Sequence, residues 1–193
     1  MQRSEIVSND AEPLILVDSN DDVLGYLDKA ACHDGDGQLH RAFSLFIFNS
    51  AGELLVQRRA SGKRLWPGFW SNSCCSHPRR DETVSEAAAR RCTQELGFAT
   101  QLDYLYKFEY SARYGDEGTE RELCSVFVGR FDGEPDVNAT EIDDWRWIAP
   151  EALEAAFAEE PDAYTPWFKM EWQRLRSDFV KSLPSGVELS PSA

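Results

Sequence analysis

Three histidines serve the whole chain, and all three stand where a metal site would want them. His33 and His40 flank a short polar loop. His77 follows Cys75 by two residues in Ser71-Asn72-Ser73-Cys74-Cys75-Ser76-His77-Pro78. Further on, Glu120-Arg121-Glu122 opens an apolar, strand-like run. Neutral imidazole is the commonest metal ligand, and carboxylates complete mixed nitrogen and oxygen sites. Successive side chains of a strand alternate faces, so Cys75 and His77 share one face while Cys74 takes the other, and Glu120 and Glu122 share a face of their own strand. If both strands line one cavity, a thiol, an imidazole and two carboxylates converge there. Cys74 is then a small core residue, the usual fate of a cysteine. The competing reading is three unrelated histidines and two core thiols.

The elements that must position these groups can be read from patterning. Leu14–Asp18 and Val23–Asp28 read as strands across the Ser19-Asn20-Asp21-Asp22 turn. The glycine-bearing segment Cys32–Gln38 reads as a mobile loop. Ala42–Phe48 and Glu53–Arg59 form a hairpin, and Trp70–Ser76 is a further strand. A helix capped by Asp81 or Thr83 runs to about Leu96 and stops at Gly97; Thr83 and Glu86 fit a capping box. Val84, Ala88 and Cys92 form its buried stripe, with Arg91 and Glu95 one turn apart on another face. Tyr104–Tyr114 and Glu120–Phe131 make a long hairpin, Asp144–Ile148 is a last strand, and helices span about Pro150–Ala158 and Pro166–Leu183. Hairpins mixed with helices indicate an α/β or α+β sandwich. Residues 1–183 read as one domain, and the Ser/Pro-rich 184–193 as a frayed tail.

Composition narrows the function classes. The chain has 193 residues, 42% hydrophobic and 12% aromatic, which suits a folded globule with a real core. A net charge of −14 argues against nucleic acid and against an anionic membrane surface as partners. An anionic substrate must then meet its own local cluster of positive charge or metal. Abundant Asp and Glu with scarce lysine point to a high-salt host, and a GC-rich genome also favours Arg over Lys. There is no signal peptide or bilayer-length apolar run, and the five cysteines are irregularly spaced, so a cytoplasmic protein with reduced thiols is expected. Nothing in the sequence specifies an oligomeric state.

Several blocks together resemble a known family, the type I isopentenyl-diphosphate delta-isomerases, which are built on the Nudix fold. They are Lys29-Ala30-Ala31-Cys32-His33 with His40-Arg41-Ala42-Phe43-Ser44; Arg58-Arg59 with Lys63 and Trp66-Pro67-Gly68; Asn72 to Pro78; Arg90-Arg91-Cys92 with Glu95-Leu96-Gly97; Glu120-Arg121-Glu122; and Pro166-Trp167. Each is weak alone, and their joint order is specific. The resemblance spans Leu14 to Phe168 and implies a Nudix-like mixed β-sheet sandwich flanked by helices. It has departures. Ser76 stands where the Nudix box has glycine, Arg91 and Gln94 replace two of its glutamates, and Cys74 replaces an expected apolar residue. With only part of the carboxylate cluster left, water activation for diphosphate hydrolysis is disfavoured.

The resemblance implies one divalent metal on His33, His40, His77, Glu120 and Glu122, where Zn2+ or Mn2+ suits the ligand set and Mg2+ is tolerated. It implies a second, Mg2+-like ion bridging Glu95 and the substrate diphosphate, with Lys29, Arg59, Lys63 and Arg91 neutralising that diphosphate. The implied reaction converts isopentenyl diphosphate to dimethylallyl diphosphate through a tertiary carbocation, with one acid/base group on each face. Cys75 is assigned one face and Glu122 the other, with Tyr110 beside Glu122 and Trp167 facing the cation. In the economical version Glu122 delivers the proton, directly or through Tyr110, and the Cys75 thiolate removes one; the reverse assignment stays open. Two rivals remain: a Nudix hydrolase of a nucleoside diphosphate derivative, and a non-catalytic metal-stabilised binding module.

Overall fold

The protein is described by a computed structural model covering residues 3–187 and Leu189. Nine strands pair into one mixed sheet. They are β1 (Pro13–Val17), β2 (Val23–Asp28), β3 (His40–Phe48), β4 (Leu54–Arg59), β5 (Trp70–Ser71), β6 (Cys74–Ser76), β7 (Leu102–Tyr114), β8 (Gly118–Arg130) and β9 (Ile142–Ile148). The helices are α1 (Lys29–His33), α2 (Val84–Arg91), α3 (Pro150–Glu159) and α4 (Pro166–Asp178).

The central strand is β3. It runs parallel to β8 from His40↔Glu122 to Phe48↔Arg130 and antiparallel to β6 through Ser44↔Cys75. A strand has two hydrogen-bonding edges, so β6 and β8 flank β3 on opposite sides. Alternation then sorts the residues by face. Ala42, Phe46 and Phe48 join Cys124, Val126 and Val128 in a core under α3 and α4, while Phe43, Leu45 and Ile47 join Cys74, Ala87, Ala88 and Cys92 in a second core under α2. The expected mixed sheet with flanking helices is therefore what forms. Helix α4 is held by Trp167, Phe168, Trp172 and Leu175, all buried; each such side chain contributes about 1.5–3 kcal/mol of apolar transfer energy.

Differences from the sequence reading are local and have physical causes. Cys32 and His33 lie in the short helix α1, not in a loop. The strand expected over Trp70–Ser76 is broken at Asn72-Ser73, because the Ser73 hydroxyl reaches across to Leu55 O and Ile47 N while the Asn72 amide bonds Leu45 O and Cys74 O. Thr83, not Asp81, caps α2, with the complete capping box. That α-helix stops at Arg91 and continues as one π-helical turn, Cys92–Leu96, closed by left-handed Gly97. Helix α4 ends at Asp178, followed by a 3-10 turn at Val180–Ser182. Of the expected tail, residue 188 and residues 190–193 lie outside the described residues, while the buried Leu189 packs on the α3/α4 core.

Candidate active site and metal centre

The two faces of β3 decide which groups meet. His40 and Ser44 point to the α4 side, Glu120, Glu122 and Cys124 do the same from β8, and Cys75 does so from β6. Cys74 lies fully buried in the opposite core. A cavity of about 220 Å³ opens on this side. Its wall includes Cys75, His77, Tyr110, Glu120, Glu122, Glu141 and Trp167, together with Lys29, Arg59, Lys63 and Arg91.

At one end, one nitrogen or oxygen from each of His33, His40, His77, Glu120 and Glu122 lies within 4.8 Å of all the others. His33 Nε2 is 2.7 Å from Glu120 Oε2, and His77 Nε2 and His40 Nε2 are 3.1 and 3.7 Å from Glu122 Oε1. The outer nitrogens fix the tautomers. His33 Nδ1 lies 2.7 Å from Lys29 O and His40 Nδ1 lies 2.8 Å from Gln38 O; carbonyls only accept, so each Nδ1 carries the hydrogen. Each Nε2 then turns a bare lone pair toward a carboxylate. Accordingly, His33 Nε2, His40 Nε2 and Glu120 Oε2 are buried without a hydrogen-bond partner, despite the short 2.7 Å contact. Lone pairs facing lone pairs at this range need a cation or a shared proton between them, so the residues fit a divalent metal.

The electrostatics agree. Burial alone would raise the Glu122 carboxyl, but the facing His40 ring and the Tyr110 hydroxyl outweigh it and hold Glu122 low. Glu120 is likewise lowered, with His33 overcoming burial. His77 is driven well down by burial and by His40. His77 thus favours the neutral imidazole and Glu120 and Glu122 the ionised carboxylate, the protonation states that metal ligands need, whereas at His33 burial is outweighed by the Glu120 carboxylate and the ring is shifted up.

Positioning is local. His33 ends α1, whose last carbonyl packs against Gly118 at the start of β8 (φ +154). Thr119 donates to Gly35 O at 2.6 Å, tying the same loop to β8. The Tyr110 hydroxyl donates to Glu122 Oε2 at 2.6 Å. On the other edge of β3, the Cys75 thiol donates to Asn72 Oδ1 at 2.9 Å and lies 3.4 Å from Ser44 Oγ; burial pushes this thiol well up. Trp167 packs edge-on to Trp66 at 5.0 Å, and the Arg59 guanidinium lies 5.4 Å over its ring.

A family model for the NUDIX domain matches residues 38–168. Isopentenyl-diphosphate Delta-isomerase 1 of Photorhabdus laumondii is 45% identical over 163 residues, covering 83% of this chain and 93% of that protein. Isopentenyl-diphosphate Delta-isomerase of Burkholderia multivorans is 45% identical over 157 residues, covering 81% and 89%. The chain belongs to the isopentenyl-diphosphate Delta-isomerase family. Among solved structures, DR0079 of Deinococcus radiodurans superposes with TM-score 0.71 at 24% identity, covering 84% of this chain and 98% of that one. The MutT protein of Methanosarcina mazei gives 0.58 at 20%, covering 70% and 91%. These two likenesses speak for the fold alone.

For a member of the isomerase family, two placements add to the sequence reading. Glu95 is buried and does not reach the cavity wall; it lies behind Arg91, whose Nε and Nη2 approach its Oε1 at 2.8 and 2.6 Å. Glu141, which the sequence reading passed over, partners two of the cavity cations: it is paired with Lys63 and lies 3.3 Å from Arg91. The N-terminal segment was also missed. Lys29 Nζ donates to Ser8 Oγ at 2.8 Å, and Arg91 donates to Val7 O. Four clustered cations in an acidic chain were the one sequence signal that an internal carboxylate must balance them. Among the described residues no helix is long and apolar enough to cross a membrane.

Proposed function

We propose that the cavity moves the double bond of isopentenyl diphosphate to give dimethylallyl diphosphate, with Cys75 and Glu122 exchanging protons with opposite faces of the substrate. The observation that carries this reading is their position on opposite edges of β3, facing one cavity whose wall also carries four cations. The diphosphate lies against Lys29, Arg59, Lys63 and Arg91, where Arg offers paired donors and Lys a point charge. The five-carbon chain lies between Cys75 and the Tyr110–Glu122 pair. One group adds a proton to the terminal methylene, and the other removes one two carbons away, through a tertiary carbocation.

Trp167 turns a π-face toward that cation; a desolvated contact of this kind is worth about 2 kcal/mol. Exclusion of water by Trp66, Trp167 and Tyr110 prevents trapping of the cation. Tyr110 is the natural carrier between Glu122 and substrate, since its hydroxyl already bonds the carboxylate. His33, His40, His77, Glu120 and Glu122 would hold Zn2+, Mn2+ or Mg2+, which would neutralise the paired carboxylates and fix Glu122. A Mg2+ accompanying the diphosphate fits Glu95 only where that carboxylate is shared with Arg91. The reaction is assigned to the cytoplasm, in keeping with five free cysteines.

The test is proton exchange by NMR. Isopentenyl diphosphate in D2O with Mg2+, with and without Zn2+ or Mn2+, should yield deuterated dimethylallyl diphosphate. Phosphate release without exchange would favour a hydrolase.

A further inference from the structure

Glu171 is fully buried in α4, one turn beyond Trp167, with no cation beside it among the described residues. Its Oε1 lies 3.5 Å from Cys124 Sγ, and its Oε2 is buried without a hydrogen-bond partner. Cys124 Sγ lies 3.4 Å from Ser44 Oγ, and Ser44 Oγ lies 3.4 Å from Cys75 Sγ. A continuous chain therefore joins Glu171 to the reactive thiol from behind the cavity wall.

Counting protons gives this chain a direction. The Asn72 amide nitrogen donates to Leu45 O and Cys74 O, which turns Oδ1 toward Cys75. The single Cys75 proton goes to that oxygen at 2.9 Å. The Ser44 contact with Cys75 then has a hydrogen only if Ser44 donates it. Cys124 has one proton for two contacts, with Ser44 and with Glu171; when Glu171 carries the acid proton and donates to the sulfur, the Cys124 proton is left for Ser44. Burial, opposed only by Ser44 and Cys124, raises the Glu171 carboxyl to about 8, so the acid form is the resident one near neutrality.

Resting on the reading of Cys75 as an acid/base group, we infer that Glu171 is a positioning residue whose carboxylic acid orients Cys124 and Ser44 so that the Ser44 hydroxyl donates to Cys75 Sγ. A hydroxyl aimed at the sulfur favours the thiolate at the point of proton transfer. A carboxylate at residue 171 would accept the Cys124 hydrogen bond and release Ser44 from that orientation.

Gln at this site is neutral, nearly isosteric and still a donor; Met is neutral and of similar length but has no donor. E171M should lower kcat about 10- to 100-fold, the worth of one hydrogen bond to a charged group, with KM little changed. Its Cys75 should be alkylated by iodoacetamide more slowly by a similar factor, read by peptide mapping without substrate. E171Q should restore both rates to within about threefold. S44A should show the same losses, and S44A/E171M no more than either alone. Equal impairment of E171Q and E171M, full activity in E171M, or multiplying losses in the double variant would overturn the inference. If E171M does not fold, S44A and E171Q decide it alone: S44A at full rate, or E171Q impaired like S44A, overturns it. An active Cys75→Ala enzyme would instead overturn the reading of Cys75, independently of Glu171.

Discussion

Gly118→Ala tests how the chain builds the metal end of its cavity. Gly118 has φ +154 at the first position of β8, and a Cβ there would fall within 3.0 Å of the His33 carbonyl oxygen. An ordinary carbon–oxygen contact is about 3.3 Å, so the C-terminus of α1 must retreat by at least about 0.3 Å. Metal–ligand distances tolerate about 0.2 Å. His33 is the last residue of α1, and its ring faces Glu120 at 2.7 Å, so the displacement reaches a ligand directly. We expect metal affinity to fall about 10- to 100-fold, the usual cost of disturbing a ligand's support. Backbone strain adds about 1–3 kcal/mol of instability. Gly115→Ala separates the two effects: it also has positive φ (+52), but nothing lies within 4 Å of its Cβ. The assay is competition with a chelating dye for Zn2+ and Mn2+, alongside thermal melts of both variants. If G118A bound metal as tightly as G115A, α1 would not be the support of the first ligand.

Other outcomes follow from the same geometry. Cys75→Ala and Glu122→Gln should each lower turnover by about two to four orders of magnitude, the range for losing a positioned acid or base, with unchanged melting; Cys74→Val, in the opposite core, should leave turnover within a few fold. Glu171 contributes to the pH dependence of stability. Its folded value of about 8 lies above the 4.5 of an ordinary glutamate, so its contribution is fully present below about pH 4.5 and is lost as pH rises through 8. E171Q should therefore gain on wild type from pH 5 to pH 8 in urea unfolding, by a few kcal/mol; a constant gap would contradict this. With a net charge of −14, unfolding midpoints should rise from low to molar KCl as self-repulsion is screened, and indifference to salt would remove the case for halophilic adaptation.

The metal cluster was legible because its logic is local. Alternation along short strands put Glu120 with Glu122 and parted Cys75 from Cys74, and both pairings hold in the sheet. The capping box at Thr83 and the Arg91–Glu95 pair are likewise short-range, and both form. What stayed hidden depends on long-range register. Ser44 meets Cys75 and Cys124 because β3 pairs with β6 on one edge and with β8 on the other. No spacing in the sequence encodes that. His77 belongs with the other ligands although it lies just past the end of β6, so the alternation argument succeeded there beyond the strand that justified it.

Two buried carboxylates show why charge is hard to read from a one-dimensional pattern. A glutamate in an amphipathic helix or beside a strand end ordinarily faces water. Glu141 is buried against Lys63 and Arg91; burial would raise its carboxyl, and the charges of Lys63 and Arg91 outweigh that and keep it low. Glu171 is buried with no cation, and its carboxyl moves the other way, up to about 8. One residue type thus supplies an ionised counter-anion to Lys63 and Arg91 and, on the inference above, a neutral hydrogen-bond donor behind the thiol. The difference lies wholly in which neighbours the sheet brings within reach: two cations for Glu141, a thiol and a serine hydroxyl for Glu171. In a chain carrying −14 overall, Lys29, Arg59, Lys63 and Arg91 line one cavity, and on the proposed reading the substrate diphosphate would replace Glu141 as the partner of two of them.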